Sequence, residues 1–418
     1  MSWQVIAVFA VPGLTGVLLW LMPLRAAPMR WIALGSAAVQ LSVAFSILQA
    51  TAQGEVLVHG FGNWAPPFGI VFVADRLAGL FIALLALLLL FTIWALRPQA
   101  HGARTVSRSL PLLFLLAFGL NGAFLTGDLF NLFVMFELVL LASYLLLQVP
   151  GGDRSLRAAF PNVAINIVAS ILFFMGVGLV YGITGTVNLA DLAERMVDAP
   201  QHLRMAALSM LVVAFGIKAA LVPFLFWLPA TYPALRGPVA ALFAGIMTKL
   251  GVYALLRVVP LLALDTPLPR ILVWAGAASA ILAVLAALSE YELRRLLGFH
   301  ITSQVGYMVL GLGLFTPLAL AGSIFYIMHH IIVKTNLFLV SGVAGGHGLV
   351  QLLPAGQPHA ARWRAEVEVD AVARLAPPLG VPGDIESNPG ARLRLALHDQ
   401  GAGGGVATMH HIADAQAD

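Results

Sequence analysis

The chain has 418 residues, of which 60% are hydrophobic and only 10% are charged, and its mean hydropathy is +0.92. A soluble chain carries about 25% charged residues, so this composition excludes a soluble globular protein and indicates a polytopic helical membrane protein. The net charge of +4 comes from scattered arginines, which argues against a nucleic-acid partner, and the absence of cysteine excludes disulfides, thiol catalysis and thiolate metal sites.

Eleven apolar stretches are long enough to form membrane-spanning helices, which need about 20 residues each. Arg25 follows the first stretch and no basic region precedes it, so we expect a retained span and not a cleaved signal peptide. Between the sixth and seventh spans, residues 188–200 predict a short amphipathic helix outside the membrane. The predicted spans are residues 3–23, 31–51, 69–96, 109–126, 129–149, 159–181, 204–228, 238–260, 271–289, 296–315 and 317–344.

The arginines at the helix ends predict the orientation of the chain. One side of the membrane collects Arg25, Arg30, Arg97, Arg104, Arg108, Arg154, Arg157, Arg236, Arg294 and Arg295, and the other collects Arg76, Arg195, Arg204, Arg257 and Arg270. The richer side lies in the cytoplasm by the positive-inside rule. The N-terminus is therefore expected outside the cell.

The character of the chain changes after about residue 345. The stretch 346–418 has no apolar run of membrane length, and it contains 13 of the 42 charged residues. Its prolines and the GAGGG run at 401–405 predict poor order. We therefore expect a transmembrane domain over 1–345 and a poorly ordered, cytoplasmic tail over 346–418.

Few ionisable side chains lie inside the predicted spans, where each carries a large insertion penalty. They are Glu137, Lys218, Lys249, His300, His329, His330 and Lys334. His330 and Lys334 are four residues apart and share a helix face. Pro223 follows Lys218 closely and predicts a break in the seventh span, which is tolerated where the helix lines an enclosed or wet cavity.

Buried acids and bases of this kind suit a proton path. A Glu–Lys pair whose separation changes can act as a proton switch, and histidine can relay protons near neutral pH. We expect Lys218 to pair with Glu137, and a purely structural role of that pair stays open. The alternative that the Lys249 side chain simply extends to the membrane surface also stays open. Asp128 could simply cap the fifth span, and His329 could simply pack against a neighbour. His329 and His330 diverge by about 100° on a helix, so no shared metal site is expected.

Five stretches in chain order resemble the D-type membrane component of Mrp-type multisubunit Na⁺/H⁺ antiporters, which is similar to the antiporter-like, proton-pumping subunits of respiratory complex I. They are TGDLFNLFVMFELVLLASYLLL, FGIKAALVPFLFWLPATYP, ALFAGIMTKLGVYALLRV, LRRLLGFHITSQVGYM and FYIMHHIIVKTNLFLV. The resemblance implies an antiporter-like fold of fourteen helices, in which two inverted repeats of five helices each contain a broken helix. It stops after SGVAGG, so the second repeat is expected to be truncated by about three helices.

The resemblance also implies roles for the buried ionisable residues. Glu137 and Lys218 would form the charge pair of the first half-channel, and Lys249 would be the central relay. His330 and Lys334 would belong to the second half-channel, and His300 would join them in proton or ion translocation.

Three functions remain open at this point. The leading one is a membrane subunit of a multisubunit antiporter in the bacterial inner membrane, which exchanges protons for Na⁺ or another monovalent cation. Its partners would be the other subunits and the lipid bilayer, with no catalytic residue, cofactor, metal or nucleic acid. The second is a proton-pumping subunit of a complex I-like NADH:quinone oxidoreductase or a membrane hydrogenase. The third is an inert truncated or frame-shifted product that at most scaffolds partner subunits.

Overall fold

The computed structural model describes residues 3–22, 25–62, 64, 68–235, 237–262 and 266–346. One compact unit contains almost all of these residues, namely those up to Glu290 together with Arg294–Ala344. The second unit, 291–293 and 345 onward, lies almost wholly outside the described residues, as does the predicted tail from residue 347.

The described part of the chain is almost entirely helical. The helices are α1 (Trp3–Leu21), α2 (Ala26–Ala52), α3 (Arg76–Ala95), α4 (Pro98–His101), α5 (Ala103–Leu125), α6 (Leu129–Gln148), α7 (Gly152–Thr184), α8 (Leu189–Arg195), α9 (Gln201–Lys218), α10 (Trp227–Thr231), α11 (Gly237–Leu262), α12 (Leu268–Leu288), α13 (Leu293–Leu314) and α14 (Pro317–Gly346). Short 3₁₀ turns cover Met196–Asp198, Phe224–Phe226 and Tyr232–Ala234. Two strands, β1 (Leu57–Gly60) and β2 (Val71–Ala74), pair antiparallel.

Ten of the described helices are long and apolar enough to cross a membrane, namely α1, α2, α3, α5, α6, α7 and α11 to α14. The chain is therefore a multi-pass membrane protein, and the predicted all-α membrane fold is confirmed. The remaining predicted span, the seventh (204–228), is the broken one, because α9 ends at Lys218 and the chain continues through a 3₁₀ turn into the short α10.

The sequence predicts a third span that begins at residue 69, and that start is wrong. Residues 71–74 form β2 instead, and α3 begins at Arg76 after Asp75, whose side chain accepts a hydrogen bond from the backbone N–H of Ala78. The short helix predicted within 188–200 is present as α8, although it is shorter and begins after Asn188, which caps it; its position outside the membrane stays a prediction. A capping side chain satisfies one of the free N–H groups of a helix start.

Helix α6 shows how local sequence sets an end of a span. The side chain of Asp128 accepts a 2.7 Å hydrogen bond from the backbone N–H of Asn131, so Asp128 is confirmed as a helix cap. Helix α7 ends at Thr184 and is followed by Gly185, whose φ of 71° lies in the left-handed region where glycine is at no steric disadvantage. These two ends place Glu137 and Ser170 near the middle of their helices.

The break after α9 begins at Lys218, five residues before Pro223. Ala220 has a φ of 60°, a left-handed conformation that costs roughly 1–2 kcal/mol for a residue other than glycine. Pro223, which follows a cis peptide bond, has no N–H to contribute to a helix. The helical hydrogen bonds therefore cannot continue from α9 into α10.

Side chains from elsewhere satisfy backbone groups that the break sets free. The N–H of Val222 donates to the hydroxyl of Ser279 on α12 at 3.0 Å, and the indole N–H of Trp227 donates to the carbonyl of Ile217 at 3.0 Å. Irregular backbone at membrane depth is tolerated only with such partners. Helix α11 lies against the break, because a Cβ on Gly251 would come within 2.7 Å of the backbone nitrogen of Ala219.

A bidentate ion pair holds the far end of α11. Arg257 donates to both carboxylate oxygens of Asp75 at 2.5 and 2.6 Å, and its Nε donates to the hydroxyl of Tyr253 at 3.0 Å. That hydroxyl in turn donates to the carbonyl of Phe124 at the end of α5. The network ties α3, α5 and α11 together, and Arg257 is thus more than the membrane-end arginine expected from the sequence.

Candidate functional site

The first group of polar residues lies where α6, α7 and α9 meet. The Ser170 hydroxyl donates to Glu137 Oε1 at 2.5 Å and accepts from Lys218 Nζ at 3.3 Å. Lys218 Nζ itself lies 3.7 Å from the same carboxylate oxygen. The lysine side chain is 3% exposed and the glutamate side chain 40% exposed, so the ammonium is the buried partner.

Two further features favour a positive charge at Lys218. It is the last residue of α9, where the unpaired carbonyl groups of a helix end attract a cation. Its Nζ also lies 5.2 Å from the centre of the Phe136 ring, within the range of a cation–π interaction. The break therefore places the ammonium where backbone dipoles, an aromatic ring and a carboxylate all stabilise it.

The order of groups is suited to proton exchange. A hydroxyl that accepts a hydrogen bond from an ammonium and donates one to a carboxylate can take up one proton while it releases another. Ser170 occupies that position between Lys218 and Glu137. It was missed in the sequence, although its spacing from Asn162 and Asn166 on the same face of α7 was a usable signal.

The second group lies among α11, α13 and α14. Lys334 is 1% exposed, and its Nζ is 2.9 Å from Nδ1 of His300. Lys249 is fully buried and donates to the carbonyl of Ala244 at 2.6 Å. Helix α11 packs against α14, the helix of His330 and Lys334, because a Cβ on Gly245 would clash with the hydroxyl of Thr335.

His330 is buried, and neither of its ring nitrogens has a hydrogen-bond partner among the described residues. Its ring lies 6.2 Å from that of Tyr326, nearly parallel to it. His329 is on the neighbouring face and also packs near Tyr326, which agrees with a packing role. A buried imidazole without a protein partner is costly unless water reaches it.

The predicted residues thus fall into two groups. Glu137 and Lys218 form the expected pair, with Ser170 between them, and Pro223 lies in the break that ends α9. Lys334 bonds to His300 on another helix, whereas His330, which shares its helix face as predicted, has no hydrogen-bond partner among the described residues. The translocation roles of all these residues stay predictions. In the part of the chain that the structure describes, no three His, Asp or Glu residues are placed to hold a metal ion.

Comparison with known proteins identifies relatives of the chain and of its fold. A family model described as "NADH:quinone oxidoreductase/Mrp antiporter, TM" matches residues 126–349, which include both groups. The chain is 45% identical to the D component of the Na⁺/H⁺ antiporter of Alkalihalophilus pseudofirmus over 295 residues, which are 69% of this chain and 59% of the relative. It is 33% identical to the D component of the Na⁺/H⁺ antiporter of Bacillus subtilis over 342 residues, 81% of this chain and 69% of that one.

Among solved structures, a chain of the Mrp complex from Dietzia sp. DQ12-45-1b superposes with a TM-score of 0.79 at 30% identity. The superposition covers 96% of this chain and 78% of that chain. The resemblance seen in the five sequence stretches is therefore confirmed. The match to the Alkalihalophilus relative spans less than two thirds of that protein's length.

Proposed function

Because the chain belongs to the NADH:quinone oxidoreductase/Mrp antiporter family of membrane proteins, we propose that it is a subunit of a multisubunit antiporter that exchanges protons for a monovalent cation. Relatives named as components of Na⁺/H⁺ antiporters make Na⁺ the first cation to test. The other subunits of such a complex are the expected partners. In this proposal the chain transports ions and catalyses no covalent reaction.

The observation that carries the proposal is the buried cluster at the break. A fully apolar environment makes an isolated ammonium very unfavourable, yet Lys218 is retained there beside a hydroxyl and a carboxylate. A buried ion pair is often no more stabilising than apolar residues of the same size. The presence of a buried charge pair at this place therefore favours a role in proton transfer over a role in stability.

The second group supplies further side chains that can accept and release the same proton. Lys249 lies on α11, which packs against the break near Ala219 and against α14, the helix of His330 and Lys334, near Thr335. We propose that Lys249 relays protons between the Glu137–Lys218 pair and the group that contains His300, His330 and Lys334. Transfer between such groups requires that none of them is locked in one charge state.

The distribution of arginines supports an orientation for this transport. With the richer side in the cytoplasm, the connection between α3 and α5 faces the cytoplasm and α8 faces outside. We propose the inner membrane of a bacterium as the location, consistent with the bacterial relatives. Residues 1–345 would form the transport domain in this view.

Everted membrane vesicles provide the test. Vesicles from cells that express the chain with the neighbouring subunit genes are energised to build an inward proton gradient, and Na⁺ is then added. We expect Na⁺ to dissipate the gradient in the parent and not in Lys249→Ala. Thr248→Ala is the matched control, because Thr248 is adjacent and equally buried and should retain most of the response.

Two results would contradict the proposal. A parent that inserts normally but never responds to Na⁺, K⁺ or Li⁺ would exclude cation exchange. A gradient formed only when a redox donor and quinone are supplied would favour the pumping subunit of an oxidoreductase. Exchange at the parental rate in Lys249→Ala would leave antiport in place and rule out the relay role of Lys249.

A further inference from the structure

A basic patch lies where α2 begins and α3 ends. Arg30 on α2 donates from Nε to the carbonyl of Ile93 at 3.2 Å and from Nη2 to the carbonyl of Trp94 at 2.8 Å. These carbonyls belong to the last turn of α3, whose C=O groups have no partner within the helix. Arg97 follows the same helix end, and its guanidinium lies 5.0 Å from the centre of the Trp94 ring. Both guanidinium groups therefore contact Trp94.

No negative charge of the surrounding helices neutralises this patch. The helices α1 to α5 contain neither Asp nor Glu, and no carboxylate of a described residue forms an ion pair with Arg30 or Arg97. The Nη1 group of Arg30 and the whole guanidinium of Arg97 have no hydrogen-bond partner among the described residues. The patch thus offers two positive charges and several free N–H donors to a ligand.

The preference of arginine for the cytoplasmic side does not account for this arrangement. An arginine that only marks a cytoplasmic helix end can stay free in water, whereas these two side chains are held in place and lose conformational entropy. Arg25 precedes α2 without making a capping hydrogen bond, and Arg30 is the fifth residue of that helix. Positive charge is unfavourable at the start of a helix, where the free N–H groups attract anions instead. A bound anion would relieve this repulsion.

The surface beside the patch is apolar and aromatic. Trp31 is 69% exposed and Trp94 is 55% exposed, and the guanidinium of Arg30 lies 5.8 Å from the centre of the Trp31 ring. Phe91, which is also exposed, precedes Trp94 by three residues and lies on the same face of α3. Exposed tryptophans of a membrane protein lie at the level of the lipid headgroups. A ligand that fits both parts has an anionic head and an apolar chain.

We propose that the basic patch binds the phosphate headgroup of an anionic phospholipid, with an acyl chain of the lipid along Phe91 and Trp94. The flat guanidinium group matches two phosphate oxygens at once, and basic pockets between helices at the cytoplasmic surface suit such headgroups. The apolar face that continues from the patch along α3 favours a lipid over an acidic protein segment. This binding does not depend on ion transport by the chain.

Native mass spectrometry of the intact chain in detergent provides the test. The chain is titrated with phosphatidylglycerol or with phosphatidylcholine that has the same acyl chains, and the mass of the complex gives the number of lipids bound. We expect phosphatidylglycerol to bind about tenfold more tightly or better, since each basic residue near an anionic headgroup contributes roughly fivefold. Arg97→Gln should weaken phosphatidylglycerol binding by about fivefold and leave phosphatidylcholine binding unchanged.

Two further variants separate a site from general surface charge. Arg157→Gln is the matched control, because Arg157 is an exposed arginine of α7 that is expected on the same side of the membrane. It should bind phosphatidylglycerol within about twofold of the parent, since exposed charges act only over a Debye length. Arg97→Lys keeps the charge but loses the flat group that stacks on Trp94, so its affinity should lie between those of Arg97→Gln and the parent.

Four results would overturn the lipid site. Equal affinities of the parent for the two lipids would show that the headgroup charge is not recognised. Equal losses in Arg97→Gln and Arg157→Gln would reduce the effect to general surface charge. Complete displacement of phosphatidylglycerol by millimolar inorganic phosphate would show that the patch binds free phosphate and that the acyl chain adds nothing. Unchanged lipid binding in Arg97→Gln, with loss of a neighbouring subunit from the assembled complex, would assign the patch to a protein partner.

Discussion

The Glu137–Lys218 pair gives the sharpest quantitative prediction. Its charged atoms are 3.7 Å apart, which corresponds to about 4.5 kcal/mol of attraction at an effective dielectric constant of about 20. The glutamate side chain is 40% exposed, so we discount this by about half, to roughly 2 kcal/mol. A free energy of that size corresponds to roughly a 30-fold change in rate.

Near-isosteric substitutions isolate the contribution of this ion pair to the exchange rate. Glu137→Gln removes the negative charge and can still accept a hydrogen bond from Ser170. Lys218→Met removes the ammonium and roughly keeps the volume of the side chain. If the pair works as one unit in proton transfer, each change should lower the exchange rate by roughly 30-fold or more. The double variant should be no slower than the slower single variant, because effects of residues that act together are not additive.

The assay is Na⁺-dependent dissipation of a proton gradient in everted vesicles, normalised to the amount of inserted protein. Ser143→Ala on α6 serves as a control, since Ser143 is buried on the same helix but bonds only to the Leu140 carbonyl. Independent, multiplicative losses in the double variant would refute the coupling. Normal exchange in Lys218→Met with reduced protein abundance would show that the lysine is structural.

Reporter fusions after Arg104 and Arg195 should give opposite signals, the first cytoplasmic, and equal signals would exclude the proposed orientation. Burial raises the pKa of Asp75, but its ion pair with α11 outweighs this and holds the pKa below the usual value. That contribution to stability is present above the unfolded-state pKa and is lost as the pH falls through the folded-state value. The Asp75→Asn variant should therefore have a lower melting temperature than the parent near neutral pH, and this difference should shrink at acidic pH. A difference in melting temperature that does not change with pH would contradict this. Gly251→Ala should destabilise the chain by about 1–3 kcal/mol, because the new methyl group meets the backbone at the break. Gly178→Ala, which points into open space, should be nearly neutral, and equal melting temperatures for both variants would refute the close contact.

Local properties of the sequence were sufficient to predict the membrane spans. Whether a segment can cross a bilayer depends mainly on its own length and apolarity, so the sequence is sufficient to locate the ten continuous helices. The cap at Asp128 was also predictable, since an N-cap acts on N–H groups two or three residues away. The rarity of charges in the spans identified Glu137, Lys218, Lys249 and Lys334 as candidates by itself.

Pairings between distant residues could not be predicted in the same way. Arg257 bonds to Asp75 across 182 residues, and Lys334 bonds to His300 of another helix even though His330 lies one turn away on its own. Helix periodicity states which residues share a face, but only packing decides which neighbouring helix that face meets. The spacing of Ser170 from the asparagines of α7 was visible in the sequence, but its position between Lys218 and Glu137 was not, because that position requires three helices.

The break of the seventh span shows both contributions at one place. The sequence alone determined that a proline and a lysine interrupt an apolar run, and that α9 could not continue through Pro223. Tertiary structure decided that the helix ends earlier, at Lys218, because Ser279 and Trp227 are in place to satisfy the freed backbone groups. An unpaired backbone group costs several kcal/mol inside a membrane, so the end of the helix depends on where distant partners can reach it.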